Sequence, residues 1–294
     1  MRLAAIDIGS NACRLLVTEV VPHGMQKVRF NKLNLVRVPL RLGFDVFDTG
    51  LIPESKVRMM LESMHAYAHL MRAYGVNRHI AVATSAMRDA RNADEIVNRI
   101  YKETGILIKV ISGDFEASLI YESHIAESLD ARNNYLYIDV GGGSTELTLF
   151  MNGQLTFKRS FNIGTIRLLK GQVKEEDWTI LKETIRSEVR GLKSCIAIGT
   201  GGNINKIFSL SKKKDGKPIN QELLREYYRE LSLLSLEERM RLFNLREDRA
   251  DVIVPALLIY TQVMKWALIE EMIVPKIGIV DGLVQHLYEE LSAV

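Results

Sequence analysis

Tyr135 to Phe161 reads YLYIDVGGGSTELTLFMNGQLTFKRSF, and the punctuation of this stretch decides the fold. Tyr135 to Val140 is a short apolar run carrying Asp139 near its end, and Gly141-Gly142-Gly143-Ser144 is a turn with no bulky side chain. Thr145 to Phe150 then alternates polar with apolar residues as a strand does. Asn152-Gly153 turns the chain again, because both residue types tolerate the positive φ of a tight hairpin. The stretch therefore predicts strand, glycine loop, strand, turn, strand. Three glycines in a row leave consecutive backbone N–H groups open to an anion, with nothing at Cβ to hold it off. Asp139 before the loop and Glu146 after it set two carboxylates beside those donors, a combination suited to phosphate oxygens and a divalent cation. The plainer account is a glycine hairpin with two incidental acids.

Working outward, the first thirty residues carry the same pattern. Leu3 to Ile8 is an apolar strand containing Asp7, Gly9-Ser10-Asn11 is a small-residue turn, Ala12 to Val20 is a strand, and His23-Gly24 turns into Gln26 to Phe30. AIDIGSNACRLLV and YIDVGGGSTELTL keep strand, acid, glycine turn and strand in one order. Internal duplication predicts two similar α/β domains facing each other across a cleft, with Asp7 and Asp139 entering it from opposite sides. Arg14 then corresponds in place to Glu146. A third glycine turn, Gly199-Thr200-Gly201-Gly202-Asn203, follows the strand Cys195 to Ile198 and feeds a helix, which makes a further anion cradle backed by the helix dipole.

Elsewhere the chain alternates helices and strands. A loop is expected over Leu42 to Gly50, helices over Pro53 to Tyr74, Ala93 to Thr104 and Phe115 to Leu129, and a helical tail including Arg249 to Met272 and Asp281 to Leu291. The methionine-rich stripe of the first helix is read as packing. His65 and His69 lie four apart on that helix and are read as a surface or packing pair, because no third ligand accompanies them.

Composition bounds the function classes. The 294 residues are 47% hydrophobic, ample for two domains, and 39 Lys+Arg against 36 Asp+Glu give a net charge of +3, too weak to argue for nucleic acid. Cys13 and Cys195 show no metal spacing and suggest a reducing compartment. No signal peptide or membrane-spanning run is visible, so a soluble cytoplasmic protein with no membrane and no nucleic-acid partner is expected.

Asp7 to Asn11 with Arg14, Ala83 to Arg88, Ile111-Ser112-Gly113 with Glu116-Ala117, Asp139 to Leu147, Gly199 to Gly202 and Arg249-Ala250-Asp251 together resemble the exopolyphosphatase / guanosine pentaphosphate phosphohydrolase family. The resemblance runs over almost the whole chain in order. It implies the actin-like (ribonuclease H-like) fold, duplicated α/β domains around an interdomain cleft. Domain one would span 1–118, with the C-terminal helix 281–294 as its candidate completion, and domain two 119–280. It also implies hydrolysis of the terminal phosphoanhydride of polyphosphate or pppGpp with Mg2+ or another divalent cation.

Position by position, the resemblance makes Glu116 the general base for the attacking water. It assigns the metal to Asp139, Glu146 and Asp7. Phosphate oxygens fall to Gly9, Ser10, Asn11, Arg14, Arg88, Gly141, Gly142, Gly143, Ser144, Thr145 and Gly201, with Arg41 a further candidate cation. Phosphoryl transfer asks mainly for positioning and charge stabilisation, so this division of labour is chemically coherent. The chain departs from the family pattern at Phe115, where a second acid usually precedes Glu116, and at Ala12-Cys13 and Ser123. It lacks the C-terminal helical extension of the long forms, so the short two-domain form is expected. Two alternatives stay open: a catalytically weak sensor binding polyphosphate or alarmones, suggested by Phe115, and an actin-fold small-molecule kinase. The apolar final helices leave a homodimer open.

Overall fold

The computed structural model describes residues 1–23, 27–122, 130, 133–192, 194–275 and 277–292. The chain divides into two compact units, Met1–Ser123 with Gly278–Val294 and His124–Ile277. The expected turn at Gly24 and the 123–129 end of the helix predicted from Phe115 lie outside the described residues.

In the first unit, β1 (Arg2–Ile8), β2 (Cys13–His23) and β3 (Lys27–Val38) form an antiparallel meander. Helices α1 (Gly43–Thr49) and α2 (Glu54–Ala73) lead to β4 (Arg78–Ala83), and α3 (Ser85–Asp89) and α4 (Ala93–Thr104) lead to β5 (Ile108–Val110) and α5 (Gly113–Glu122). β4 and β5 run parallel to β1, and the sheet order is β3-β2-β1-β4-β5. Parallel neighbours need crossover connections, which the helix pairs supply.

The second unit repeats this plan. β6 (Asn134–Val140), β7 (Thr145–Met151) and β8 (Gln154–Phe161) form the meander. Then come α6 (Thr165–Leu169), α7 (Glu175–Glu188), β9 (Cys195–Thr200), α8 (Gly202–Leu210), β10 (Ile219–Asn220), α9 (Gln221–Ser232), α10 (Leu236–Phe243), α11 (Glu247–Ala250), α12 (Ile253–Ala267) and β11 (Glu271–Ile273). The order β8-β7-β6-β9-β11-β10 matches the first sheet strand for strand, with β10 added as a short antiparallel edge. The duplication read from the glycine turns is thus present in both sheets.

Two expectations are corrected. Leu42 to Gly50 is not a loop throughout, because Gly43–Thr49 closes one helix that stops at Gly50 in the left-handed region (φ 70°). Arg249 to Met272 is not one helix: α11 ends at Ala250, α12 ends at Ala267 with Leu268 as a left-handed cap at φ 54°, and β11 follows.

Alternation along β1 builds two cores. Ala4, Ile6 and Ile8 face a cluster with Leu15, Met60, Met64 and Ile100, whereas Leu3 and Ala5 face Leu16, Val82 and Leu119. The final helix of the chain, α13 (Ile279–Ser292), covers that second face with Ile279, Leu283 and Val284. Period two then puts Asp7 on the face that α5 and α13 cover. In the second unit Leu136, Ile138 and Val140 join the main cluster with Leu147, Leu149 and α12, which leaves Asp139 and Glu146 on the opposite face.

The α5 and α13 helices cross at Gly282, where an added Cβ would run into the Leu119 carbonyl. Gly282→Val is therefore expected to lower stability by about 1–3 kcal/mol or more through overpacking, read as a drop in Tm. Burial pushes the Cys195 thiol up to about 11 and the Cys13 thiol higher still. Only a small fraction of either is thiolate at pH 8, so both should resist a thiol reagent in the folded protein and react once urea unfolds it.

Candidate active site

Both glycine turns are built the same way. Gly141 N–H donates to the Ser144 carbonyl at 2.9 Å, and Gly9 N–H donates to the Ala12 carbonyl at 3.0 Å. A Cβ on either glycine would press on that same carbonyl, at 3.2 Å and 3.3 Å. The turn fixes the register that follows: Asp139 pairs with Glu146 across β6 and β7, and Asp7 pairs with Arg14 across β1 and β2. The place-for-place correspondence of Arg14 and Glu146 expected from the repeat is observed.

The loop carbonyls are then taken up by the chain that leaves the third strand. In the second unit Thr165 N–H donates to Gly141 O at 3.0 Å, Ile166 N–H to Gly142 O at 2.8 Å, and Arg167 Nε to Gly143 O at 2.8 Å. Gly164 sits so tightly on Gly142 and Gly143 that any side chain there would collide with them. In the first unit Arg41 N–H donates to Asn11 O at 3.0 Å and Gly43 N–H to Ser10 O at 2.8 Å. With the acceptors occupied, the N–H groups of Gly142, Gly143 and Ser10 donate to no described residue. Such runs of undonated N–H form an anion-binding concavity.

Asp139 and Glu146 are 7% and 1% exposed. Two buried carboxylates directly opposite each other on neighbouring strands repel, and a divalent cation between them offsets that cost. Ser160 on β8 donates to Glu146 Oε1 at 2.8 Å. Thr145 is buried, and its hydroxyl donates to the Ile163 carbonyl, which ties the start of β7 to the clamp segment. Gly201 caps α8 at φ 104°, and a Cβ on it would stand 2.9 Å from Asp139 Oδ1. Among the described residues of this unit no third His, Cys, Asp or Glu joins the pair. The donor set of hard oxygens would nonetheless suit a cation such as Mg2+.

In the first unit Asp7 is 2% exposed, and its Oδ2 accepts from Arg14 at 3.1 Å. Burial pushes the Asp7 carboxyl above the ordinary aspartate range against the opposing pull of Arg14. Its Oδ1 is buried with no hydrogen-bond partner among the described residues. Ser10 shares a 2.7 Å hydroxyl bond with Ser85. Glu116 stands in the first turn of α5, 5% exposed, with Arg88 4.0 Å from its Oε2. Arg88 is itself held by donating to the Ile111 carbonyl at 2.8 Å. A helix N-terminus and a guanidinium both favour the ionised carboxylate that a general base needs.

Each unit thus gathers part of the expected set: Asp7, Arg14, Ser10, Arg88 and Glu116 in one, and Asp139, Glu146, the glycine loop and Gly201 in the other. Several residues escaped the reading of the sequence. Ser85 and Thr200 stand inside quoted motifs without a role assigned to them, Ser160 bears no motif, and Arg167 secures the loop through Gly143. Arg249 donates to Asn203 Oδ1 at 3.1 Å with its guanidinium against Gly202. The Arg249-Ala250-Asp251 motif was the one available signal for that last contact. His65 and His69 point to different partners, Glu103 and Arg72.

The chain is similar in sequence and in fold to known proteins. The chain is 30% identical over 292 residues to the bifunctional 3-dehydroquinate synthase/phosphatase of Fusobacterium nucleatum, covering 90% of this chain and 43% of that protein. It is 27% identical over 170 residues to exopolyphosphatase 1 of Mycobacterium bovis, covering 58% of this chain and 48% of that one. The chain therefore spans less than half the length of these two relatives. The crystal structure of the Aquifex aeolicus Ppx/GppA family member superposes with a TM-score of 0.77 at 25% identity, over 99% of this chain and 98% of that one. Residues 16–291 match the Ppx/GppA phosphatase family, and this chain belongs to it.

Proposed function

We propose that the protein hydrolyses the terminal phosphoanhydride of a polyanionic phosphate, inorganic polyphosphate or pppGpp, by attack of water. The observation that carries this reading is the opposed, buried Asp139–Glu146 pair beside a glycine turn whose carbonyls are already occupied. Acids and undonated N–H groups within one turn of each other serve a metal phosphate and little else. A bound Mg2+ or other divalent cation would neutralise charge on the phosphate oxygens. Asp139 and Glu146 would hold it, whereas Asp7, the other residue assigned to the metal from the sequence, belongs to the first unit.

The other groups divide the remaining work. The N–H groups of Gly142, Gly143 and Ser10 bind phosphate oxygens, whereas those of Gly141 and Gly9 are spent closing the turns onto Ser144 and Ala12, and Gly201 leaves room beside Asp139. Arg14, fixed by Asp7, and Arg88, fixed by the Ile111 carbonyl, neutralise charge on the substrate. Glu116 accepts the proton of the attacking water. This is positioning and electrostatics, as phosphoryl transfer requires.

Two thiols suit a reducing compartment, here the cytoplasm. Among the described residues no helix is long and apolar enough to cross a membrane.

Phosphate release from polyphosphate and from pppGpp, each with and without Mg2+, tests the reading. Metal-dependent release from at least one is expected, and release from neither would end it. Glu116→Gln keeps size and hydrogen bonding but cannot take a proton. It is expected to lower kcat by about 10²- to 10⁴-fold while leaving substrate Kd nearly unchanged. Wild-type turnover in that variant would remove Glu116 from the reaction.

A further inference from the structure

The row of side chains that contains Asp139 and Glu146 extends one strand further on each side. Ser160 on β8 pairs with Glu146, Glu146 with Asp139, and Asp139 with Thr200 on β9. Paired residues on adjacent strands project to the same face, so four oxygen-bearing side chains stand side by side across four strands. In the first unit the equivalent row reads Arg37, Arg14, Asp7, Val82. The duplicated halves therefore present opposite chemistry at the same place in the sheet: one row holds two guanidiniums, and the other holds oxygen only.

Thr200 is 1% exposed, and its Oγ1 has no hydrogen-bond partner among the described residues. A buried hydroxyl left unsatisfied is costly, and its retention calls for a reason. Its backbone is held in place, because the buried Tyr260 hydroxyl donates to the Thr200 carbonyl. The next residue, Gly201, is the one that admits Asp139 Oδ1. Ser160 Oγ occupies Glu146 Oε1 and so fixes the carboxylate plane.

We propose that Thr200 supplies a third protein oxygen to the cation site of Asp139 and Glu146, and that Ser160 is the positioning residue that orients Glu146 within it. This rests on the divalent-cation reading of that pair. A threonine hydroxyl is an ordinary ligand for a hard cation such as Mg2+. Groups that orient ligating carboxylates change metal affinity by about 10- to 100-fold when removed.

The test is Mn2+ binding to the full chain without substrate, followed by the EPR signal of free Mn2+, together with the Tm of the metal-free protein. Ser160→Ala and Thr200→Val should each weaken Mn2+ binding at least about tenfold, with Ser160→Thr and Thr200→Ser restoring it. Thr200→Val removes a hydroxyl that bonds to nothing described, so its metal-free Tm should not fall. A role confined to packing would instead lower Tm and leave Mn2+ affinity alone, which would overturn the proposal. Loss of binding in Glu146→Gln with wild-type affinity in Ser160→Ala and Thr200→Val would overturn it while leaving the carboxylate site standing. Wild-type Mn2+ affinity in Glu146→Gln would overturn both.

Discussion

Each half of this protein depends on one arrangement, a glycine turn whose carbonyls are claimed by the segment that follows the third strand. A tight turn between antiparallel strands leaves both N–H and C=O groups without ladder partners. Here Thr165 to Arg167 and Arg41 to Gly43 donate to the carbonyls and leave N–H groups over. The turn becomes a site of positive potential without a charged side chain in it. Gly164 is the geometric condition in the second unit, since a methyl group would separate the clamp from the loop. A surface of spare N–H groups therefore arises from backbone accounting, and the residues it demands, Gly142, Gly143 and Gly164, are small ones.

The same turn sets register, and register sets chemistry. Because the glycine closes onto the residue three later, the last inward side chain of one strand is brought directly opposite the first of the next. In one unit this juxtaposes Asp7 with Arg14, an ion pair that spends one carboxylate oxygen on fixing a guanidinium. In the other it juxtaposes two carboxylates. Duplication supplied one scaffold, and a single exchange of charge at the position after the turn separates a half with an acid–guanidinium pair from a half with two acids. Neither half would be informative alone, since an Asp–Arg pair is common in sheets and two neighbouring acids are merely unfavourable.

The glycine turns, the alternation of β1 and β6, and the repeat were legible because each is a short-range pattern: period two, small residues, an acid at a fixed offset. Those signals sufficed for the strand, glycine turn, strand sequence that opens each unit. What was not legible was short or non-local. The α1 helix is seven residues rich in Asp and Gly, where turn signals outweigh periodicity. β11 is three residues long and owes its pairing to β9, so sequence alone continued the preceding helix through it. Of the site, Asp139 and the loops were marked by the residues themselves and Glu116 only by the family resemblance, whereas Thr200 sat in its glycine turn with no role assigned and Ser160 carried no mark. Their significance comes from neighbours across the sheet, and a hydroxyl on a strand carries no local mark of what it faces.

Phe115 is the departure that most invited a reading as a weakened enzyme, and its surroundings argue otherwise. Successive helix residues are turned about 100° from each other, so residue 115 does not share the direction of Glu116. Its ring meets His286 of α13 edge-on at 5.5 Å, and Lys109 Nζ lies 5.6 Å from its centroid. It packs with Leu119 and Leu283 in the core between α5 and α13. An acid at 115 would have to leave that apolar seam or be buried in it at considerable cost. The phenyl ring instead anchors the first turn of α5, with its N–H accepted by Ser112 Oγ at 3.2 Å. That is the turn from which Glu116 projects toward Arg88. The exchange of acid for aromatic thus puts a ring rather than a charge on a packing face, at the base of the turn that carries Glu116.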